Sequence, residues 1–151
     1  LKEYNLPATI FVIVNNIGKE GFLNWNELQE MSLNNIAIGS HTLNHAYLTS
    51  LDLETLNNEV AISKKMLEEK IGKKVNLISY PLGGFNERVR GVVRKAGYLG
   101  ACATNPGKRY PNNDIYALKR IRISKTSDNL FVFWIETSGF YTWIKEHRDE
   151  D

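Results

Sequence analysis

The 151-residue sequence has one cysteine, four prolines and no large excess of charge of either sign. A lone cysteine excludes an intramolecular disulfide, and Cys102 lies in the apolar run 98–103, which predicts a buried, unreactive thiol. Nineteen Lys and Arg against 17 Asp and Glu leave a net charge of +2, far below the basic surface that nucleic-acid binding requires. We therefore expect no nucleic acid among its main partners.

Long apolar runs are also lacking. No stretch approaches the roughly 18 apolar residues of a membrane helix, which predicts no membrane span in this chain. Residues 1–5 match neither a signal peptide nor an initiator methionine, so we expect an excised piece of a longer protein. With 42% apolar and 24% charged residues, the composition is that of a globular protein, and we predict a single, truncated domain over residues 1–151.

Short apolar runs alternate with amphipathic segments along the chain. Apolar runs predict strands at 8–14, 36–40, 75–80 and 98–103, and the first of them, rich in β-branched residues, has the pattern of a parallel strand buried on both faces. Helices are predicted between them, with caps supplied by Asn24, by Ser50 or Asp52, and by Asn86. This alternation predicts an α/β fold with a mainly parallel sheet, in which ligands bind at the C-terminal ends of the strands.

The end of the chain predicts one more strand and one more helix. Residues 118–123 alternate apolar and basic side chains, which indicates a half-exposed strand near a sheet edge. From Asp128 onward, apolar residues at helical spacing predict a C-terminal helix that Trp134 and Trp143 pack, although Ser138-Gly139 interrupts it.

Two of the three histidines follow the predicted strand 36–40 directly, in the segment Ser-His-Thr-Leu-Asn-His. On a helical turn, the spacing of His41 and His45 points both imidazoles the same way, and zinc accepts such ligands readily. We predict a divalent metal site here, with a pair of surface histidines as the alternative. The helical zinc-protease motif needs a glutamate where this chain has Thr42, so that class is disfavoured.

Two histidines are an incomplete site. A hydrolase would need at least one carboxylate ligand and a general base as well. Asp52, Asp114 and Asp128 are present, but none of them follows a predicted strand. We therefore expect the missing carboxylates outside this sequence.

A second loop follows the predicted strand 75–80. Pro81, Gly83 and Gly84 predict a tight turn whose free backbone N–H groups could stabilise a developing oxyanion. An ordinary βα turn, with Asn86 as the helix cap, is the alternative.

These segments together resemble the polysaccharide deacetylase family, also called the NodB homology domain or carbohydrate esterase family 4. The likeness covers roughly residues 1–123, and the His-Thr-x-x-His element is its most specific part. The matching segments are Leu-Pro-Ala-Thr-Ile-Phe-Val at 6–12, Ile-Gly-Ser-His-Thr-Leu-Asn-His at 38–45, Tyr-Pro-Leu-Gly at 80–83 and Ala-Gly-Tyr at 96–98. The resemblance implies a distorted (β/α) barrel and a metal-dependent hydrolase, with zinc expected, that removes acetyl groups from N-acetylated or O-acetylated polysaccharides.

The resemblance also implies roles for particular residues. His41 and His45 match the metal ligands, and the Leu82 backbone N–H matches the oxyanion donor. Tyr80 and Pro81 are expected to contact the substrate, Tyr80 as the best placed of the candidate sugar platforms, with a buried core aromatic as the alternative for Tyr80. The third ligand and the base belong to an Asp-Asp pair on the family's first strand, and this chain starts too late to contain it.

Consequences follow for the chain taken alone. We expect it to hold zinc weakly, to be inactive, and to expose the edge of strand 8–14, which favours association of copies of the chain. The family's members mostly act on cell-envelope or extracellular polymers, which is the location that the resemblance suggests.

The sequence departs from the family in three places. Ser79 and Leu82 stand where the family often has arginine and tyrosine. The family's late Leu-x-His is not recognisable, and we expect His147 in the polar tail to be a surface residue. A non-catalytic carbohydrate-binding or structural domain therefore stays open as an alternative, and a structural metal-binding module as a third.

Overall fold

The computed structural model describes residues 2–104, 113–121, 123 and 125–138. Its centre is a parallel sheet of four strands, in which each strand pairs with the next one along the chain. The strands are β1 (Ala8–Val12), β2 (Ile36–Ser40), β3 (Leu77–Ser79) and β4 (Gly100–Cys102). A sheet whose spatial order equals its chain order is the arrangement of a (β/α) barrel. Within the described residues it stays open, with β1 at one edge.

Helices connect the strands. The α-helices are α1 (Trp25–Leu33), α2 (Leu53–Asn57), α3 (Ser63–Ile71), α4 (Glu87–Lys95) and α5 (Leu130–Thr137). A π-helical turn, Asn58–Ile62, joins α2 to α3. Short 3-10 helices lie at Lys2–Tyr4, Val14–Asn16, Leu48–Ser50, Pro81–Gly83 and Lys125–Asp128.

The helices begin where the sequence predicts. The Asn24 side chain accepts backbone N–H bonds at the start of α1, and the Glu27 carboxylate accepts the Asn24 N–H in return, which completes a capping box. Asp52 and Asn86 cap α2 and α4 by accepting the backbone N–H groups of Thr55 and Val89, without the reciprocal bond. Gly72 ends α3 in the left-handed conformation, with φ at 74°.

The core lies between the sheet and the helices. Ile38, Ile78 and Ala101 of the strands are buried there together with Leu28, Leu56, Val60, Leu67, Val89 and Val93 of the helices. Leu56, Val60 and Leu67 lie at helical spacing and form one fully buried face, whereas Leu53, the first residue of α2, is exposed.

The C-terminal part differs from the prediction. Residues 118–121 run beside β4, but only Leu118 forms a bridge there, with Cys102, so the predicted strand is not formed among the described residues. The helix α5 is present, yet none of its residues is buried, and the Trp134 side chain is 63% exposed. Trp134 packs within the helix, where its ring stacks on Phe131 at a centroid distance of 6.2 Å, but it does not bury the helix. Trp143 and His147 lie outside the described residues.

Two further expectations concern Cys102 and the membrane. The Cys102 side chain is half-buried at the end of β4, and burial raises the pKa of its thiol despite the nearby charge of Arg120. The thiol is therefore protonated at neutral pH, which fits an unreactive cysteine. Among the described residues, no helix combines the length and the apolar character needed to cross a bilayer.

Candidate functional site

The two candidate loops begin side by side at the C-terminal edge of the sheet. Strand β2 ends at Ser40 and strand β3 at Ser79, and Ser40 is paired in register with Ile78. The histidine segment leaves the first strand and the proline turn leaves the second. In parallel α/β folds this edge is where ligands bind, so the fold brings the two predicted segments together in the expected place.

His41 is held by a hydrogen bond to the neighbouring strand. Its Nδ1 lies 2.7 Å from the carbonyl oxygen of Ser79. A carbonyl oxygen only accepts hydrogen bonds, so Nδ1 carries the proton and Nε2 keeps its lone pair. Histidine ligands of metals are commonly oriented by such a bond from the other ring nitrogen. The geometry therefore leaves His41 able to bind a cation through Nε2.

His45 lies against His41. The two ring centroids are 4.7 Å apart and the ring planes cross at 75°. The prediction of a helical turn here is wrong. Thr42 and His45 both adopt the left-handed conformation, with φ at 67° and 61°. The loop is closed instead by the His45 N–H, which donates to Thr42 Oγ1 at 3.1 Å. Two left-handed residues thus bring the imidazoles together by another route.

The surroundings of His41 favour its neutral form. Burial lowers the pKa of His41 below its ordinary value of 6.5. The charges of His45 and Arg120 lower the pKa further, while the hydrogen bond to Ser79 opposes the shift. Neutral imidazole is the form that binds metal ions. Arg120 was not predicted as a site residue, and the only sequence signal for it is its place in the basic segment after β4.

The proline turn is tight and strained. Leu82 is left-handed, with φ at 55°, and its side chain is 72% exposed. The turn is closed by Gly83 N–H donating to the Tyr80 carbonyl and by Gly84 N–H donating to the Pro81 carbonyl. Neither of these two bonds uses the Leu82 N–H.

Both glycines of the turn are required by close neighbours. A Cβ atom at Gly83 would lie 2.1 Å from Thr104 Oγ1, and one at Gly84 would lie 2.2 Å from a ring carbon of Tyr47. Gly83 also has a positive φ of 73°. The turn is therefore fixed between Thr104 on one side and Tyr47 on the other.

Backbone strain is concentrated in these two loops. Of the five described non-glycine residues with positive φ, two are asparagines, which tolerate this conformation. The other three are Thr42, His45 and Leu82, for which it costs about 1–3 kcal/mol each. All three lie at the same edge of the sheet. Strain of this kind typically marks a functional site.

In the part of the chain that the structure describes, no acidic side chain joins the histidines in a metal-binding cluster. The described residues contain no cluster of three or more His, Cys, Asp or Glu side chains arranged to hold a metal ion. Asp52 caps α2, and Asp114 accepts a hydrogen bond from Arg90 at 2.6 Å. Asp128 lies in the 3-10 helix before α5. The described donors therefore fit a divalent cation in part, as two imidazole ligands of a larger set.

The family model described as polysaccharide deacetylase matches residues 1–101. This chain belongs to the polysaccharide deacetylase family. The YxkH protein of Bacillus subtilis (strain 168), named as a member of that family, is 36% identical over 138 residues, which are 91% of this chain and 50% of YxkH. The poly-β-1,6-N-acetyl-D-glucosamine N-deacetylase of Staphylococcus aureus (strain MSSA476) is 30% identical over 156 residues, with 93% of this chain and 53% of that protein covered.

The solved structures confirm the fold prediction. The deacetylase PplD of Streptococcus pyogenes, solved in complex with acetate, superposes with a TM-score of 0.76 at 28% identity, covering 82% of this chain and 55% of PplD. The α/β fold with a parallel sheet of the deacetylase type is thereby shown. The chain spans about half the length of the curated relatives that it matches.

The aromatic residues of this deacetylase domain are arranged differently from the expectation. The Tyr80 side chain is fully buried, its hydroxyl donates to the Tyr116 carbonyl at 2.9 Å, and its ring stacks on Phe85. The ring therefore offers no exposed face on which a sugar could stack. Pro81 is buried as well. Tyr47, which sequence reasoning missed, is 48% exposed beside the turn, and only its place two residues after His45 could have pointed to it.

Proposed function

We propose that the protein containing this chain is a metal-dependent hydrolase that removes acetyl groups from a polysaccharide. The proposal rests on the pairing of His41 with His45, whose ring centroids are 4.7 Å apart, and on the bond that fixes His41 to Ser79. Membership of the deacetylase family supports the reaction class. An N-acetylated polymer is the proposed substrate, since the Staphylococcus aureus relative is named for one.

Zinc is the proposed cation, because imidazole ligands suit it and His41 is held in its neutral form. Two residues of this chain, His41 and His45, would hold it. When bound, zinc supplies a Lewis acid that polarises the acetyl carbonyl. We propose that the third ligand and the general base are carboxylates outside the described residues.

The Leu82 N–H is the proposed oxyanion donor. The Leu82 N–H takes no part in the two hydrogen bonds that close its turn. Leu82 itself is left-handed, with φ at 55°, so the turn does not continue as a helix at this residue. Pro81, with its restricted φ, sets the direction of the following N–H. The donor would therefore stabilise the charge that develops on the acetyl oxygen.

A second candidate function, carbohydrate binding without catalysis, is favoured by Ser79. Its buried hydroxyl has no hydrogen-bond partner among the described residues, at the position where the resemblance places an arginine. The turn has therefore lost a cation that would help to orient a catalytic carboxylate.

Acetate release decides between these functions. The longer protein that contains this chain is incubated with an N-acetylated glucosamine oligomer and zinc, and acetate is measured enzymatically. The hydrolase proposal expects turnover in the wild-type protein and loss of turnover in a His41→Ala variant. Binding of the oligomer without acetate release, in a folded and zinc-loaded protein, would instead establish the non-catalytic alternative.

The oxyanion assignment is tested with the same assay. We expect Leu82→Ala to leave kcat within a few-fold, because the donor belongs to the backbone. Pro81→Ala should lower kcat by about tenfold, since the donor is misdirected rather than removed, and full removal typically costs about 100- to 1,000-fold. The exposed Leu33→Ala, at the end of α1, serves as a control for a surface change. A larger loss from Leu82→Ala than from Pro81→Ala would contradict the assignment.

A further inference from the structure

Glu59 is a buried carboxylate to which neither the family resemblance nor the proposed chemistry gives a role. It lies in the π-helical turn Asn58–Ile62, and only 5% of its surface is exposed. Among the described residues it forms no ion pair. A charged side chain in such a place is costly unless hydrogen bonds replace the water that it has lost.

Within the described residues, the hydrogen bonds to this carboxylate all come from the histidine loop. Oε2 accepts the N–H groups of Leu43 at 3.1 Å and of Asn44 at 2.9 Å. Oε1 accepts the side-chain amide of Asn44 at 2.6 Å. Both donor residues stand between His41 and His45. The carboxylate therefore holds the middle of the loop whose two ends carry the imidazoles.

The loop has few other acceptors for its backbone N–H groups. The loop has five consecutive backbone N–H groups, at residues 41–45. Three of them donate to strand β1, to Ser40 at the end of β2 and to Thr42, and the other two donate to Glu59. The three are His41 N–H to the Val12 carbonyl, Thr42 N–H to Ser40 Oγ, and His45 N–H to Thr42 Oγ1. Without Glu59, the N–H groups of Leu43 and Asn44 would lose the only acceptor that they have in the described part of the chain.

The π-helical turn is itself fixed from two sides. The Val60 carbonyl accepts hydrogen bonds from Tyr98 OH at 3.2 Å and from Ser63 Oγ at 3.0 Å. Ser40 Oγ donates in turn to Ser63 Oγ, which ties the turn to the end of β2. Insertions of this kind in a helix are frequent at functional sites. Tyr98, the tyrosine of the Ala-Gly-Tyr segment, thus supports the turn that carries Glu59.

From this arrangement we infer that Glu59 is a positioning residue for the metal ligands His41 and His45. It stabilises the left-handed conformations of Thr42 and His45 that bring the two rings together. The inference rests on the proposed metal site, and it adds a residue that acts on that site from the adjoining helix without touching the metal or the substrate.

Zinc affinity is the primary test. In the protein that contains this chain, Glu59→Ala should weaken zinc binding by about 10- to 100-fold in a calorimetric titration, as is typical when the support of a metal ligand is lost. The amides of Leu43 and Asn44 should exchange with solvent faster in the same variant. Glu68→Ala is the matched control, since Glu68 also accepts a backbone N–H, that of Val75, and lies away from the histidine loop. It should lower stability and leave zinc affinity unchanged.

Glu59→Gln is the rescue variant. The glutamine oxygen can accept the Leu43 and Asn44 N–H groups, and its NH₂ can donate to Asn44 if that amide flips. Asn15, which now donates to Asn44 Oδ1 at 2.6 Å, can flip in the same way, so the whole chain of bonds is restored. We expect zinc affinity within about threefold of the wild-type value, well inside the loss expected for Glu59→Ala.

The outcomes separate two failures. If the wild-type protein binds no zinc, the proposed metal site is wrong and this inference falls with it. If the wild-type protein binds zinc and a folded Glu59→Ala variant binds it equally well, only the positioning role is overturned. Should Glu59→Ala fail to fold, Glu59→Asp takes its place, because the shorter carboxylate cannot reach both N–H groups. Unchanged zinc affinity in that variant would overturn the inference as well.

Discussion

Replacing His41 or His45 by alanine is expected to weaken zinc binding by more than about 100-fold. Loss of the support of a metal ligand costs about 10- to 100-fold in affinity, and loss of the ligand itself should cost more. The two variants should be affected alike, because each leaves a single imidazole. Isothermal titration of this chain and of the longer protein with zinc measures both losses.

The pH dependence of zinc binding provides a second measure on the same samples. Protons compete with zinc for imidazole nitrogen, so affinity should fall as the pH falls. Because the pKa of His41 is lowered from 6.5 by burial, its ring stays neutral to lower pH than an exposed histidine does. Protonation of His41 should therefore weaken zinc binding only at a pH below 6.5. Arg120→Ala removes a positive charge near His41, raises the pKa of His41, and should move the loss toward higher pH.

A control variant keeps this test specific. Tyr47→Phe changes an exposed ring beside the same loop without removing a nitrogen ligand, and should bind zinc as the wild type does. Equal zinc affinity in the wild type and in both histidine variants would show that the ring pair is not a metal site.

The strands and helices could be predicted because their signals are local. Runs of β-branched residues mark β1 and β2, and capping side chains mark the starts of α1, α2 and α4. These signals depend on residues a few positions apart. The strand β1 ends at Val12, short of the predicted Val14, because Val14 turns into a 3-10 helix and donates to the Thr42 carbonyl.

The loop conformation of the candidate site could not be predicted in the same way. The spacing of His41 and His45 is compatible with a helical turn. The structure has instead a loop with two left-handed residues, and the two N–H groups between them donate to Glu59. Glu59 stands 14 residues beyond His45 in the chain, and its effect requires the π-helical turn to aim it back at the loop. Tertiary contacts of this kind leave no local pattern in the sequence.

For the helix α5, the sequence predicts the local structure but not the packing. Its apolar residues at helical spacing predict a helix, and the helix does form. Leu130 and Phe131 are nevertheless 83% and 66% exposed, so hydrophobicity alone predicted the element and not its packing. Periodicity identifies which side chains share a face. It does not identify what lies opposite that face.

The largest expected effect is the difference in deacetylation between this chain alone and a longer protein. We expect no measurable acetate release from residues 1–151, even with added zinc. Two imidazoles can bind a cation, but they supply no carboxylate base, and base catalysis is typically worth about 100- to 10,000-fold in rate. Weaker zinc binding without a third ligand lowers the rate further.

The measurement compares acetate release from an N-acetylated oligosaccharide by the two proteins at equal zinc concentration. The longer protein extends upstream by one strand and its connection, about 30 residues. A third sample, in which the added carboxylates are replaced by their amides, is the matched control, because it restores the strand without the base. Turnover should appear only in the extended protein with its carboxylates intact. Robust turnover by residues 1–151 would show that this chain supplies its own base, and the placement of the catalytic carboxylates outside it would then be wrong.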